Sequence, residues 1–412
     1  MEFLKHTLAN GLEVVAECNP EAHTSALGFF VNTGARDESH EVAGVSHFLE
    51  HMVFKGTPTR TAEDVNREFD EMGAHYNAYT SEENTVYYAA VLPEYQDRAI
   101  GLLADILRPS LRAEDFDTEK QVIIEEIRMY QDQPPYGADD RVRALFYDRH
   151  PLGQSVLGTV DSITKLPVEA MRGYFEQRYS PGNITLVGAG RINFDEFVAS
   201  VDRVCGNWQP VETSRDSRPA KPQATFETIE KSSSTQQYIL QLAAGPAAAD
   251  ADRYPAKILT TVLGDDSGSR MYWALTESGL AESASISHHE YQGAGIFMTY
   301  LSCAPENAAA NMEIVLNMYR DVQSRGITQA ELDQAKSKIN SRVVLSSERP
   351  RGRLFNVGGN WIQRREYRSV KQDLDAVEAI TLADIAAVLA KYPLTKSTTV
   401  AIGPLGALAP PV

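Results

Sequence analysis

Only three cysteines occur in the 412-residue chain, Cys18, Cys205 and Cys303, and they are widely separated. That spacing excludes a disulfide framework and fits a reducing compartment. No window approaches 18 consecutive apolar residues, so no membrane-spanning helix is expected. The opening Met1-Glu-Phe-Leu-Lys-His-Thr-Leu-Ala-Asn-Gly11 runs straight into a strand pattern, without a basic stretch followed by an apolar one, and a cytoplasmic location is expected from it. Positive charge is scarce too. With 39 Lys and Arg against 56 Asp and Glu the net charge is −17, which argues against nucleic acid or an anionic membrane as partner and favours tolerance of cationic peptides. A hydrophobic content of 43% is ordinary for a globular protein, and the length exceeds one typical core.

Histidine is sparse as well, nine in all, yet two of the nine stand four residues apart in the apolar run Val45-Ser-His-Phe-Leu-Glu-His-Met-Val-Phe54. On a helix His47 and His51 leave the same face one turn apart and can converge on one ion. Glu50 lies beside them, where a carboxylate can take a proton from water held by the metal. This is the mechanics of the H-x-x-E-H pattern, and it points to metal-assisted hydrolysis. As plain core the same residues would be costly, because buried polar groups need partners and a buried charge needs a counter-charge or a metal.

Two histidines do not close a catalytic zinc site, which usually takes three protein ligands and leaves a fourth position open. The segment 113–130 places Phe116, Val122, Ile123, Ile127 and Tyr130 at helical spacing, an amphipathic helix. Glu119 and Glu126 lie seven apart on a stripe next to the apolar one. At least one of them is expected to point inward; the alternative is a solvated acidic face.

These segments together resemble the zinc endopeptidases of the insulinase, pitrilysin and mitochondrial processing peptidase family, in its short bacterial form. His47-Phe-Leu-Glu-His-Met-Val-Phe-Lys-Gly-Thr57 resembles the family's ligand helix and the Gly-Thr that ends it, and Glu119-Lys-Gln-Val-Ile-Ile-Glu-Glu126 the segment with its third zinc ligand. Asn77, Ala78, Tyr79 and Thr80, followed by Thr85-Val-Tyr-Tyr88, resemble the edge-strand pair that holds substrate. Pro151-Leu-Gly153, Leu157-Gly-Thr159 and Tyr179-Ser-Pro-Gly-Asn183 complete the resemblance in the first half. It implies zinc held by His47, His51 and Glu126, Glu50 as the catalytic base, Glu119 as an accessory catalytic glutamate, and residues 77–80 as the strand on which a peptide substrate is laid by β-augmentation.

The chain also repeats itself. Asp115-Phe-Asp-Thr-Glu-Lys-Gln-Val-Ile123 lines up with Glu331-Leu-Asp-Gln-Ala-Lys-Ser-Lys-Ile339, and Asn183-Ile-Thr-Leu-Val-Gly188 with Ser397-Thr-Thr-Val-Ala-Ile-Gly403. Mixed period-2 strands and amphipathic helices in each half give an α/β (α+β) sandwich: two homologous domains, each a mainly antiparallel sheet covered by helices. The expected division is a zinc domain 1–208, a Pro- and charge-rich linker 209–223, and a non-metal domain 224–412. In the second half Arg342 falls where Glu126 stands, and Tyr254 to Gly264, the counterpart of the ligand helix, lacks His and Glu.

One departure from the family pattern carries a further expectation. Many relatives bear an Arg and a Tyr seven residues apart around a Gly-Leu-Ala, to hold substrate and polarise the scissile carbonyl. Here those positions are Leu275 and Glu282. Loss of such donors costs about 3–4 kcal/mol of transition-state stabilisation. The resemblance therefore implies a heterodimer whose homologous partner chain supplies the pair, the two chains enclosing a chamber that admits peptides and unfolded segments. The alternatives are a homodimeric peptidase with other donors, a hydrolase of a different bond, and a non-catalytic assembly subunit, against which the intact metal residues count.

Overall fold

In the computed structural model, which describes residues 1–411, six strands form one sheet: β1 (Glu2–Thr7), β2 (Glu13–Cys18), β3 (Ser25–Val31), β4 (His75–Thr80), β5 (Thr85–Val91) and β6 (Ile184–Gly190). Their order is β1-β2-β6-β3-β5-β4, and the one parallel pair is β2 with β6. A second sheet holds β7 (Phe226–Glu230), β8 (Gln237–Ala244), β9 (Ser283–Tyr291), β10 (Ala294–Cys303) and β11 (Ser397–Gly403), in the order β7-β11-β8-β10-β9. With β1 removed the two orders match strand for strand, down to the parallel pair β7 with β11. The repeat seen in the sequence is thus a repeat of topology, and both sheets are mainly antiparallel.

Inner strands read as unbroken apolar runs because helices cover both faces of each sheet. β3 and β6 are buried along their whole length. One face of the first sheet packs Phe29 and Tyr87 against Phe48 and Phe197 of helices Val45–Val53 and Phe194–Cys205. Its other face meets the helix Pro350–Arg364 through Leu354, Val357 and Trp361, packed on Phe30, Val86 and Val187. A Cβ on Gly358 of that helix would stand 2.3 Å from the Phe30 ring, so only glycine allows the approach. A buried two-pronged ion pair, Arg353 to Glu17 at 2.6 and 2.7 Å, holds the helix down.

That helix comes from the second half of the sequence. In the same way Ala138–Tyr147, from the first half, covers the second sheet through Val142 and Phe146 against Leu240, Ile296 and Val400. The two compact units are accordingly 1–129 with 154–216 and 345–368, and 130–153 with 217–344 and the residues from Ser369 onward. The halves 1–208 and 224–412 stay a proposal about the repeated sequence rather than about packing. The segment expected to be a linker has no helix or strand, yet its first part is tied to the first unit. Ser180 bonds Val211 twice at 2.8 Å, Arg178 bonds the Ser214 carbonyl, and the buried Arg215 grips Asp37 and Asn32. Pro- and charge-rich composition does not make its first part loose, because Arg215 turns its charge inward while its other charged side chains stay exposed. No helix among the described residues is long and apolar enough to cross a membrane.

Candidate metal centre

The helix Val45–Val53 starts from Gly44, whose backbone is left-handed (φ +91) and whose absent Cβ would meet the Leu157 carbonyl at 2.5 Å. Its N-terminus is capped by a distant side chain. Glu38 accepts from the backbone N–H of Gly44 (2.6 Å) and of Ser46 (2.7 Å), satisfying groups that a helix end leaves orphaned. Burial pushes the Glu38 carboxyl up to about 7, and the hydrogen bonds from Ser46 and Gly44 hold it from rising further. Ser46, Tyr174 and Thr33 continue this buried polar chain at 2.7 Å steps.

His47 and His51 leave one face of this helix with their rings edge to face, centroids 4.8 Å apart. The second helix, Ala113–Asp132, is registered against the first by Phe116 stacked on Phe48 at 4.7 Å and by Arg112, just before it, bonding the Lys55 carbonyl at 2.7 Å. Glu126, on that second helix, then faces both imidazoles. Its Oε2 lies 3.7 Å from His47 Nε2 and 3.6 Å from His51 Nε2. Ligand atoms on a tetrahedral zinc with bonds of about 2.0–2.1 Å stand roughly 3.4 Å apart, so these donors fit the ion by type and by spacing. Among the described residues no other three His, Cys, Asp or Glu converge in this way.

Glu119 is not part of that convergence. It stands behind His51, with Oε1 accepting from Nδ1 at 2.9 Å and Oε2 paired with Lys55 at 2.5 Å. The contact turns His51 Nε2 toward Glu126, the usual task of a carboxylate outside a metal's ligands. Burial works against ionised Glu119, yet His51 and Lys55 hold its carboxyl below the usual range. Burial also opposes a charged His51, but Glu119 and Glu126 outweigh it and raise that imidazole. His47, only 8% exposed, is lowered to about 4 by burial and by His51, so it stays neutral and able to donate a lone pair. Its Nδ1 has no hydrogen-bond partner among the described residues, so packing and the Glu126 carboxylate facing Nε2 orient the ring.

Glu50 leans toward β4. Thr80 Oγ1 donates to Glu50 Oε2 at 2.6 Å, and burial raises the carboxyl while the Thr80 bond and His51 restrain the rise. β4 is the last strand of its sheet, paired with β5 alone. The Ala78 N–H bonds its neighbour's Asn77 Oδ1 at 2.8 Å rather than a strand. By the alternation of an antiparallel ladder, Tyr76 and Thr80 also turn backbone groups to the open side. The four residues Asn77, Ala78, Tyr79 and Thr80 thus lie along a free edge that ends at Glu50.

Sequence reasoning missed Glu38, Thr80 as a partner of Glu50, and Lys55 as a partner of Glu119. Thr80 and Lys55 lie in segments already singled out, but no periodicity announces a bond 30 or 64 residues away. In the second unit Leu275 is 0% exposed inside the core, within the π-helical turn Tyr272–Thr276, and the Glu282 carboxylate accepts from the Gln236 side chain. Arg342, the counterpart of Glu126, pairs with Asp265 at 2.6 Å beside Lys338 at 2.8 Å, a cationic pair where the first unit has a carboxylate.

Residues 13–160 match the family model described as insulinase (peptidase family M16), and residues 165–339 the one described as the peptidase M16 inactive domain. An uncharacterized zinc protease of Mycobacterium bovis is 31% identical over 411 residues, covering 97% of this chain and 93% of its own. An uncharacterized zinc protease of Bacillus subtilis is 30% identical over 381 residues, 92% of each chain. In fold the chain is similar to a protease from Helicobacter pylori (TM-score 0.92, 21% identity, 97% and 99% covered). A Pseudomonas fluorescens structure described as a peptidase M16 inactive domain is similar too (TM-score 0.91, 19% identity, 100% of both chains).

Proposed function

Since the chain belongs to the insulinase family of peptidases, family M16, we propose that it is a zinc-dependent endopeptidase hydrolysing peptides or unfolded segments. The observation that carries the reading is the convergence of His47, His51 and Glu126 next to a base, Glu50, that is bonded to a free strand edge. His47, His51 and Glu126 would hold the ion. Zinc there would supply a Lewis acid that lowers the pKa of water and polarises a carbonyl. Glu50 takes a proton on the oxygen that Thr80 leaves open and returns it to the departing amine. Glu119 orients His51 and neutralises Lys55. A peptide laid along Asn77 to Thr80 brings its backbone, whatever its sequence, past Glu50.

We propose further that a homologous chain supplies the donors for the developing oxyanion, as a heterodimer, with a homodimer as the competing arrangement. Support comes from Leu275, which is core, and Glu282, whose side chain offers oxygen acceptors and accepts from Gln236. The three cysteines, free in the fold, suit the cytoplasmic location expected from the sequence. Hydrolysis of an unstructured peptide by the zinc-loaded chain, alone and with candidate homologous chains, tests both statements. Activity that rises about a hundredfold on mixing and vanishes in Glu50→Gln supports them. Full activity in Glu50→Gln contradicts the first, and equal activity of the unmixed chain contradicts the second.

A further inference from the structure

β4 turns different residues to the two sides of a peptide lying on its free edge. Tyr76, Ala78 and Thr80 face the metal-bearing helix: Tyr76 stacks on Phe69 at 3.9 Å, and Thr80 bonds Glu50. His75, Asn77 and Tyr79 are exposed on the alternate face, the side of the sheet covered by Pro350–Arg364. There Tyr79, 41% exposed, lies 6.1 Å from the Phe355 ring. Arg351 sits 5.2 Å over the Tyr88 ring and 5.9 Å from that of Phe355, donates to the Tyr88 hydroxyl at 2.9 Å and comes within 3.5 Å of His75 Nε2.

Arg351 is exposed and has no carboxylate partner among the described residues, whereas Arg353, two residues on, is spent on the buried Glu17. It lines a cavity of about 610 Å³ at the start of β4, together with His75, Arg349 and the acidic Glu21 and Glu348. The aromatic side chains and the Tyr88 hydroxyl hold this guanidinium in place, and of its five N–H donors only those toward Tyr88 and His75 are engaged, which leaves others for a carboxylate.

Side chains of an added strand alternate sides every 3.3 Å or so, so those that meet Tyr79 and His75 are four residues apart, about 13 Å. We infer that this face is a specificity subsite: it takes a peptide carboxylate, either an Asp or Glu side chain or the chain's own C-terminus, at Arg351 and His75, four residues from an apolar or aromatic side chain at Tyr79 and Phe355. The inference rests on the reading of β4 as the substrate strand. With the scissile bond beside Thr80 and Glu50, the carboxylate falls about four or five residues from it, on the side that runs over His75.

Binding of labelled unstructured peptides to the zinc-loaded Glu50→Gln chain, read by fluorescence anisotropy, tests this without needing turnover. A set in which a single Glu, Gln or Lys steps along the sequence should bind unequally at one position only, Glu about fivefold tighter than Gln and Lys weaker, the gap closing as salt rises. Adding Arg351→Glu should reverse the order of Glu and Lys peptides; Arg351→Gln, neutral and polar, should abolish the difference and serves where the charge reversal fails to fold. A positional effect that persists in C-terminally amidated peptides assigns the site to a side-chain carboxylate, whereas affinity indifferent to the position of Glu but lost on amidation assigns it to a terminal one. Peptides that bind equally at every position of the charge, amidated or not, overturn the subsite, whether or not the wild-type chain cleaves them. Charge-dependent binding with no cleavage of any peptide by the wild-type chain, alone or mixed with homologous chains, leaves the subsite standing and removes the peptidase reading instead.

Discussion

Thr80 donates its hydroxyl to Glu50 across 2.6 Å, so the strand proposed to carry substrate and the carboxylate proposed to move the proton are one mechanical unit. The bond occupies Oε2 and leaves Oε1 as the working oxygen. It also favours the ionised form of a carboxyl that burial raises.

Replacing Thr80 by Val keeps shape and removes the bond. The loss of a hydrogen bond to a charged group is worth about 1.5–3 kcal/mol, so kcat/KM should fall by about ten- to a hundredfold with zinc content unchanged, and Thr80→Ser should restore most of it. Unchanged turnover in Thr80→Val would detach the strand from the base.

Leu275, the position at which the resemblance in sequence places the Arg of an Arg and Tyr pair, has its side chain fully buried in the second core. Leu275→Arg would bury an unpaired charge, and about 3–5 kcal/mol of destabilisation is expected, read as a shift in the urea midpoint, with no gain of peptidase activity. A stable, activated Leu275→Arg would show that the π-helical turn Tyr272–Thr276 can re-register and bring that residue to the surface.

Acid should act on the second unit through Glu331. Its carboxyl is held at about 2 by the hydrogen bond from Arg270 (2.7 Å), burial opposing, with a further bond from the Thr328 N–H. A carboxyl depressed in the folded state stabilises above its unfolded pKa, near 4.3, and loses that contribution as pH falls toward the folded value. Glu331→Gln should therefore lower stability by about 1 kcal/mol at pH 7, a figure discounted for the partly exposed site. The gap to wild type should narrow between pH 4 and 2. Thermal melts at several pH values check this; a gap constant with pH would assign the effect to packing.

The candidate metal residues stood out in the sequence because their chemistry is local. His47, Glu50 and His51 share one helical turn, and the i, i+4 rule needs no tertiary knowledge. Glu126 needed more: the stripe with Glu119 left open which carboxylate turned inward, and the fold separates them by placing Glu126 at the imidazoles and Glu119 behind one of them. The repetition of one topology was foreshadowed by the repeat of 183–188 in 397–403, now β6 and β11, each parallel to one neighbour, β2 and β7. The exchange of helices Pro350–Arg364 and Ala138–Tyr147 was not legible. An amphipathic helix announces that it has an apolar face, not which sheet it will cover. Glu38 escaped for a similar reason, since it caps a helix six residues away through a buried carboxylate rather than at the Ncap position.

The account turns on His47, His51 and Glu126 holding one zinc while Glu50 does not. Elemental analysis of zinc per chain in Glu126→Gln and Glu50→Gln, purified side by side with wild type, tests it most directly. The expected result is about one zinc in wild type and in Glu50→Gln, and little in Glu126→Gln. Zinc retained in full by Glu126→Gln, or lost from Glu50→Gln, would contradict the assignment of ligand and base.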